Sequence, residues 1–104
     1  MPNIRVLAPA ARELEEAAAW YEAEQSGLGA GLLDEFERVA ELLSEDSPPL
    51  VPIPGRAGKI GAKRILLHRF PFSVVVLVEK DEVVILAVAH QSRRPGYWVE
   101  RIGT

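Results

Sequence analysis

Phe72-Ser73-Val74-Val75-Val76-Leu77-Val78-Glu79-Lys80-Asp81-Glu82-Val83-Val84-Ile85-Leu86-Ala87-Val88-Ala89-His90 decides the fold of this 104-residue chain. Two runs rich in β-branched residues flank Lys80-Asp81, and so short a connection joins only antiparallel neighbours. Both runs are apolar on both faces. Phe72, Val74, Val76 and Val78 alternate with Val75 and Leu77; Val83, Ile85 and Ala87 alternate with Val84, Leu86 and Val88. Strands of this pattern need cover on each side. A bare face would be a large apolar patch, which monomers avoid.

Upstream, residues 62–69 read as a third strand. Arg64, Leu66 and His68 fall on one face and Ile65, Leu67 and Arg69 on the other. Phe70-Pro71-Phe72 ends it, because proline cannot donate to a central ladder. Residues 48–61 hold seven of the chain's sixteen Pro and Gly, so they read as a long irregular loop, carrying Arg56 and Lys59.

The first half is helical. A short strand over 3–7 ends at Ala8-Pro9, and Pro9 suits a first helical turn. Ala10, Leu14, Ala17, Ala18 and Tyr21 then recur at helical spacing, with Glu13, Glu15, Glu16, Glu22 and Glu24 as the polar side. Ser26-Gly27 stops this helix. Leu28, Leu32, Phe36, Val39 and Leu43 form the stripe of a second, flanked by Leu33 and Ala40, with Asp34, Glu35, Glu37, Arg38 and Glu41 facing out. Ser47-Pro48-Pro49 ends it, and the short link makes the pair an antiparallel hairpin.

The expected fold is α+β over a single domain, residues 1–104: a strand, a helical hairpin and a three-stranded antiparallel meander (β-α-α-β-β-β) with a short C-terminal tail. A hairpin of helices covers one face of a small sheet. The other is left to the tail (Gln91 to Thr104), to another copy or to a different chain, and an obligate or near-obligate partner is the expectation.

Composition narrows the chemistry. Without cysteine there is no disulfide, thiolate metal site or thiol nucleophile. His68 and His90 are the only histidines, so no metal and no cofactor are expected. Met1 to Arg5 leads into only six uncharged residues before Arg12, which is no secretory leader, and no run is long enough to span a bilayer; a cytoplasmic protein with no membrane partner is expected. Net charge is −3, divided as −8 over residues 1–52 and +5 over 53–104, so the second half suits an anionic partner while the whole chain does not suit general nucleic-acid binding. Gly27-Leu28-Gly29-Ala30-Gly31 follows a helix where a dinucleotide fingerprint needs a strand, and Gly55-Arg56-Ala57-Gly58-Lys59-Ile60 lacks the spacing and the Ser or Thr of a P-loop. No nucleophile-elbow serine supports a hydrolytic triad. The residues left with chemical potential are Arg64, Arg69, His90, Arg93, Arg94, Tyr97 and Trp98, with Arg56 and Lys59 in the loop. Arginine forks suit phosphate or carboxylate, and a histidine beside them suits acid–base work on RNA.

Four stretches occur together: Glu15-Glu16-Ala17-Ala18-Ala19-Trp20-Tyr21-Glu22; Gly27-Leu28-Gly29; Arg64-Ile65-Leu66-Leu67-His68-Arg69-Phe70-Pro71-Phe72; and Ile85-Leu86-Ala87-Val88-Ala89-His90-Gln91-Ser92-Arg93-Arg94-Pro95-Gly96-Tyr97-Trp98. In this order they resemble the ParE/RelE superfamily of toxins from type II toxin–antitoxin (plasmid stabilisation type) systems, on its ParE-like side. The resemblance implies a cognate antitoxin that wraps the toxin and, for the ParE side, inhibition of DNA gyrase through a protein–protein contact. Arg64, Arg69, His90, Arg93, Arg94, Tyr97 and Trp98 would then form the antitoxin- or target-binding surface. The RelE-like alternative implies a ribosome-dependent mRNA endonuclease with His90, Arg64 and Tyr97 catalytic. RelE-like nucleases are usually strongly basic, unlike this chain. A degenerate, non-toxic binding module is the remaining alternative, and a homo-oligomer or a hetero-oligomer with antitoxin is compatible with each.

Overall fold

The computed structural model describes residues 2–45 and 47–103. Met1, Asp46 and Thr104 lie outside the described residues, and with them the first residue of the leader reading, one charge of the acidic half and the last residue of the tail. The elements are β1 (Asn3–Val6), α1 (Ala8–Glu24), α2 (Leu28–Leu43), β2 (Val51–Pro52), α3 (Arg56–Lys59), β3 (Lys63–Leu66), β4 (Phe72–Val78) and β5 (Glu82–His90), followed by a 3-10 turn over Val99–Arg101. They build one mixed sheet in the order β1-β5-β4-β3-β2. The expected meander, β3-β4-β5, is its centre. β1 runs parallel to β5, with Ile4 opposite Val83. The sheet is wider than the expected three strands plus one, because the Pro/Gly-rich loop contributes β2 and the one-turn α3. Val51 and Pro52 pair with Arg64 and Lys63 at the sheet's outer edge, where proline's missing N–H leaves no ladder bond broken.

The helical hairpin follows its stripes. Pro9 sits in the first turn of α1, and α2 buries Leu32, Val39 and Leu43. These side chains meet Val74, Val76, Val83 and Ile85 in the core between helices and sheet. The joint explains the glycines. Gly27 adopts φ +94, a left-handed conformation costly for other residues. At Gly29 a Cβ would lie 2.6 Å from the Ala18 carbonyl oxygen, so only glycine lets the two helices approach this closely. The Glu22 carboxylate accepts from the Gly27 and Gly29 N–H groups at 3.0 Å, capping the open N-terminus of α2 from α1.

Two expectations are corrected. First, the faces of β5 are not those of strict alternation. Val75 pairs with Ala87 but Val76 pairs with Ile85, so β5 bulges by one residue at Leu86. Leu86 and Ala87 both face away from the helices, and Val88 turns toward them. Apolar residues on both faces made this slip invisible, since it exchanges one apolar side chain for another.

Second, the non-helical face of β4 and β5 is covered by the chain itself, while Leu66 and Val51 at the outer edge stay exposed. Val75, Val84, Leu86 and Ala87 pack under Ile53, Ala57 and Ala62 from the loop and under Trp98, Tyr97, Val99 and Ile102 from the tail. Trp98 is 2% exposed. The expected incompleteness of the lone subunit is therefore overturned: α3 and the tail turn the two-layer sandwich into a three-layer one.

Replacing Trp98 by Ala should cost about 3–5 kcal/mol in urea unfolding, as large aromatic deletions from a core do. Trp20→Ala should cost under about 1 kcal/mol in the same measurement, because Trp20 is 59% exposed. Gly29→Ala should cost about 1–3 kcal/mol by overpacking the helix joint, despite alanine's better helix propensity.

Candidate functional site

β1 leaves the sheet after Val6 pairs with Ile85, and Leu7 N–H donates the last bond, to the Ile85 carbonyl at 3.1 Å. From Leu86 to His90 that side of β5 is an open edge, with donors and acceptors to satisfy. Helix α1 and the tail converge there. The Val88 N–H donates to Glu13 Oε1 at 3.1 Å. Arg101 Nη1 donates to the Leu86 carbonyl at 3.0 Å and to Glu13 Oε1 at 2.9 Å, while its Nη2 reaches Glu13 Oε2 at 3.1 Å. The Tyr97 hydroxyl donates to Glu13 Oε2 at 2.6 Å. Arg93 stacks on the Tyr97 ring, 3.7 Å from its centroid, with a nitrogen 4.0 Å from Glu13.

Burial pushes the Glu13 carboxyl up, but hydrogen bonds from Arg101, Tyr97 and the Val88 amide outweigh it and hold it below the usual range. Burial, then the bond to Glu13 and its charge, push the Tyr97 phenol up to about 12. A second acid repeats the device on α2. Glu35 Oε2 accepts from the His68 N–H at 3.2 Å, just past β3, and from Arg38 Nη2 at 3.1 Å.

Sequence reasoning placed Glu13 and Glu35 on solvated faces and gave Arg101 no role; the structure corrects this. The signal was present. Glu13 follows Ala10 by three and precedes Ala17 by four, and Glu35 stands likewise between Leu32 and Val39. Residues at those offsets share a face.

Next to Glu13 a mostly apolar groove of about 370 Å³ opens between α1 and the adjoining ends of β4 and β5. Ala17, Trp20, Tyr21, Phe72, Val88 and His90 line it, with Glu13, Glu16 and Arg93 also at its walls. His90 stands edge-on to Phe72, ring centroids 5.0 Å apart. Its Nδ1 accepts from the Ser92 N–H at 3.0 Å and lies 2.7 Å from Ser92 Oγ. A backbone N–H can only donate, so Nδ1 is the acceptor nitrogen there.

The other expected residues divide. Arg64, His90 and Tyr97 border one cavity of about 60 Å³, but their polar atoms are committed differently. Arg64 belongs to the non-helical face, opposite Val75. The His90 ring packs on Phe72, and the Tyr97 hydroxyl is bound to Glu13. Arg93 and Arg94 border the same cavity. Trp98 is core. Arg69 stands apart in the β3–β4 turn, at φ 70 and over the Phe70 ring. Arg56 lies with Arg94 on a broader depression between α3 and the tail. Among the described residues no group of His, Asp and Glu could hold a metal, and no helix is long and apolar enough to cross a membrane.

Glu13→Gln should lower stability by about 2 kcal/mol, since it strips the charge from three donors at a largely buried point. The folded pKa of Glu13 is depressed, so its contribution is full above the unfolded carboxylate pKa and is lost as pH falls through the folded value. Chemical denaturation across that acid range should show the loss in the parent chain and a shallower slope in the variant. Equal slopes would rule the hub out.

Residues 4–95 match the family model described as ParE toxin of type II toxin–antitoxin system, parDE. A solved structure described as the chromosomal ParDE TA system from P. aeruginosa superposes with a TM-score of 0.72 at 19% identity, covering 86% of this chain and 96% of that chain. At that identity the likeness speaks for the fold. No curated protein matches the chain. The family match spans the helical hairpin, the meander and His90, and ends just before the Tyr97–Arg101 lock, so the chain belongs to the ParE toxin family.

Proposed function

We propose that this chain is the toxin of a two-protein unit, held inactive by an antitoxin segment seated in the Trp20 groove, and that the free toxin inhibits DNA gyrase through a protein–protein contact. The observation that carries the docking site is Trp20. It is a large aromatic residue left 59% exposed beside a mostly apolar groove in a chain of the ParE family. Glu16 and Glu24 stand one helical turn before and after it. The segment that fits is one bearing an apolar anchor flanked by Lys or Arg. The open edge of β5 beside the groove is already closed by Glu13 and Arg101, which favours side-chain anchoring over strand addition.

The gyrase target follows from the family resemblance. It is supported by what the site offers for chemistry: the Tyr97 hydroxyl is bound to Glu13 and its phenol is pushed up to about 12, which suits a structural lock better than proton transfer. A net charge of −3 also disfavours a phosphate-rich ribosomal target.

Purified protein should block gyrase supercoiling and leave mRNA intact in a translating extract. The product of a short adjoining reading frame should bind the chain and relieve the block. Trp20→Ala should weaken that binding about tenfold or more, as loss of an aromatic anchor does. Codon-phased mRNA cleavage would replace the gyrase reading with the nuclease one. Silence in both assays, with no growth defect on expression, would leave a non-toxic binding module.

A further inference from the structure

On the non-helical face, Ser73 of β4 lies between Leu66 of β3 and Ala89 of β5. Ser73 and Ala89 have small side chains, and a depression opens over them. Ile53 and Trp98 wall it, and Arg64, Arg93 and Arg94 border it, around a half-open cavity of about 60 Å³. Arg64 Nε is shut off from solvent and has no hydrogen-bond partner among the described residues. Neither Arg64 nor Arg94 is among the described ion pairs, whose cations are Arg5, Arg38, Arg93 and Arg101. Ser73, 5% exposed, is the one buried polar residue among those described, and it borders the same cavity. A guanidinium N–H shut off from solvent without an acceptor is costly. Here that cost sits in a small cavity beside a hydroxyl and two further arginines.

We propose that this cavity is a receptor for a single carboxylate presented by a protein partner. The planar fork of Arg64 takes one oxyanion in bidentate fashion, and Ser73 and Arg94 supply further donors. The cavity has room for one small oxyanion group. A polyanionic strand meets a net charge of −3 along its length, whereas a single acidic side chain brings one charge only, to a cavity bordered by Arg64, Arg93 and Arg94. The site lies on the non-helical face of the sheet and meets the Trp20 groove at His90 and Arg93, which border both; it stands on Arg64 and Ser73, which that groove lacks, so its test does not require the antitoxin or gyrase reading.

The test uses the full chain, labelled with ¹⁵N, and two probes: sodium acetate and a single-stranded oligouridylate. Acetate should move the Arg64 Nε–H signal and the Ser73 and Ala89 amide signals in a saturable way. Arg64→Gln should weaken the acetate response at Ser73 and Ala89 about tenfold, the cost of one charge-assisted contact. Movement of the same signals by oligouridylate would assign the cavity to nucleic-acid phosphate and overturn the proposal. Absence of saturation with both probes would mean that water alone satisfies Arg64, and would overturn it too. Both of these outcomes are read on the unmutated chain, so a misfolded variant does not blur them.

Discussion

Glu13 ties helix α1 to three other parts of the chain at one carboxylate. It takes a backbone N–H from β5 just past the bulge, a phenol from the tail and a guanidinium from the 3-10 turn. Removing a carboxylate from water is unfavourable, and the bonds converging on it offset that penalty only because they arrive together. The same acid thus fixes where α1 crosses the sheet, keeps the open half of β5 from offering bare backbone, and holds Tyr97 and Trp98 over the far face. The apolar cover of that face by the loop and tail is thus pinned at its edge by a group carried on the helical layer.

The uneven charge of the sequence takes a different form in three dimensions. Part of the acidic surplus is bound to the fold's own backbone: Glu13 and Glu35 dock the helices on β5 and on the segment after β3, and the exposed Glu22 caps α2. Glu15, Glu16 and Glu24 stay in water on α1, Glu16 and Glu24 one helical turn before and after the exposed Trp20. Arg56, Lys59 and Arg94 remain exposed on the side of α3 and the tail. The two layers covering the sheet therefore differ in sign, and each has its own depression, one apolar with acidic neighbours and one small and cationic.

Much of this was legible from residue spacing. The apolar stripes located both helices, Lys80-Asp81 located the hairpin, and alternation located Arg64 and Ile65 on opposite faces of β3. What was not legible has physical causes. The bulge at Leu86 leaves no trace where both faces are apolar. The strand β2 is a pairing of two residues, too short to show a period. The cover over the second face came from the loop as well as the tail, and Ile53, Ala57 and Ala62 are spaced irregularly because they line a turn and not a strand. Glu13 and Glu35 were misread by chemistry despite correct geometry: their offsets put them on the buried face, and an acid is expected to leave it. Of the site residues, Trp98 proved to be core and Tyr97 a lock, while Arg64 kept an unanswered donor.

The chain carries two tryptophans in opposite surroundings, Trp98 sealed in the second core and Trp20 open to solvent. By exposure alone, iodide in solution should reach Trp20 and not Trp98. A ligand settling on α1 would shield one emitter while leaving the other untouched, and a loosened C-terminal segment would do the reverse. The natural fluorescence of the molecule thus separates occupancy of one layer from opening of the other, without any added label.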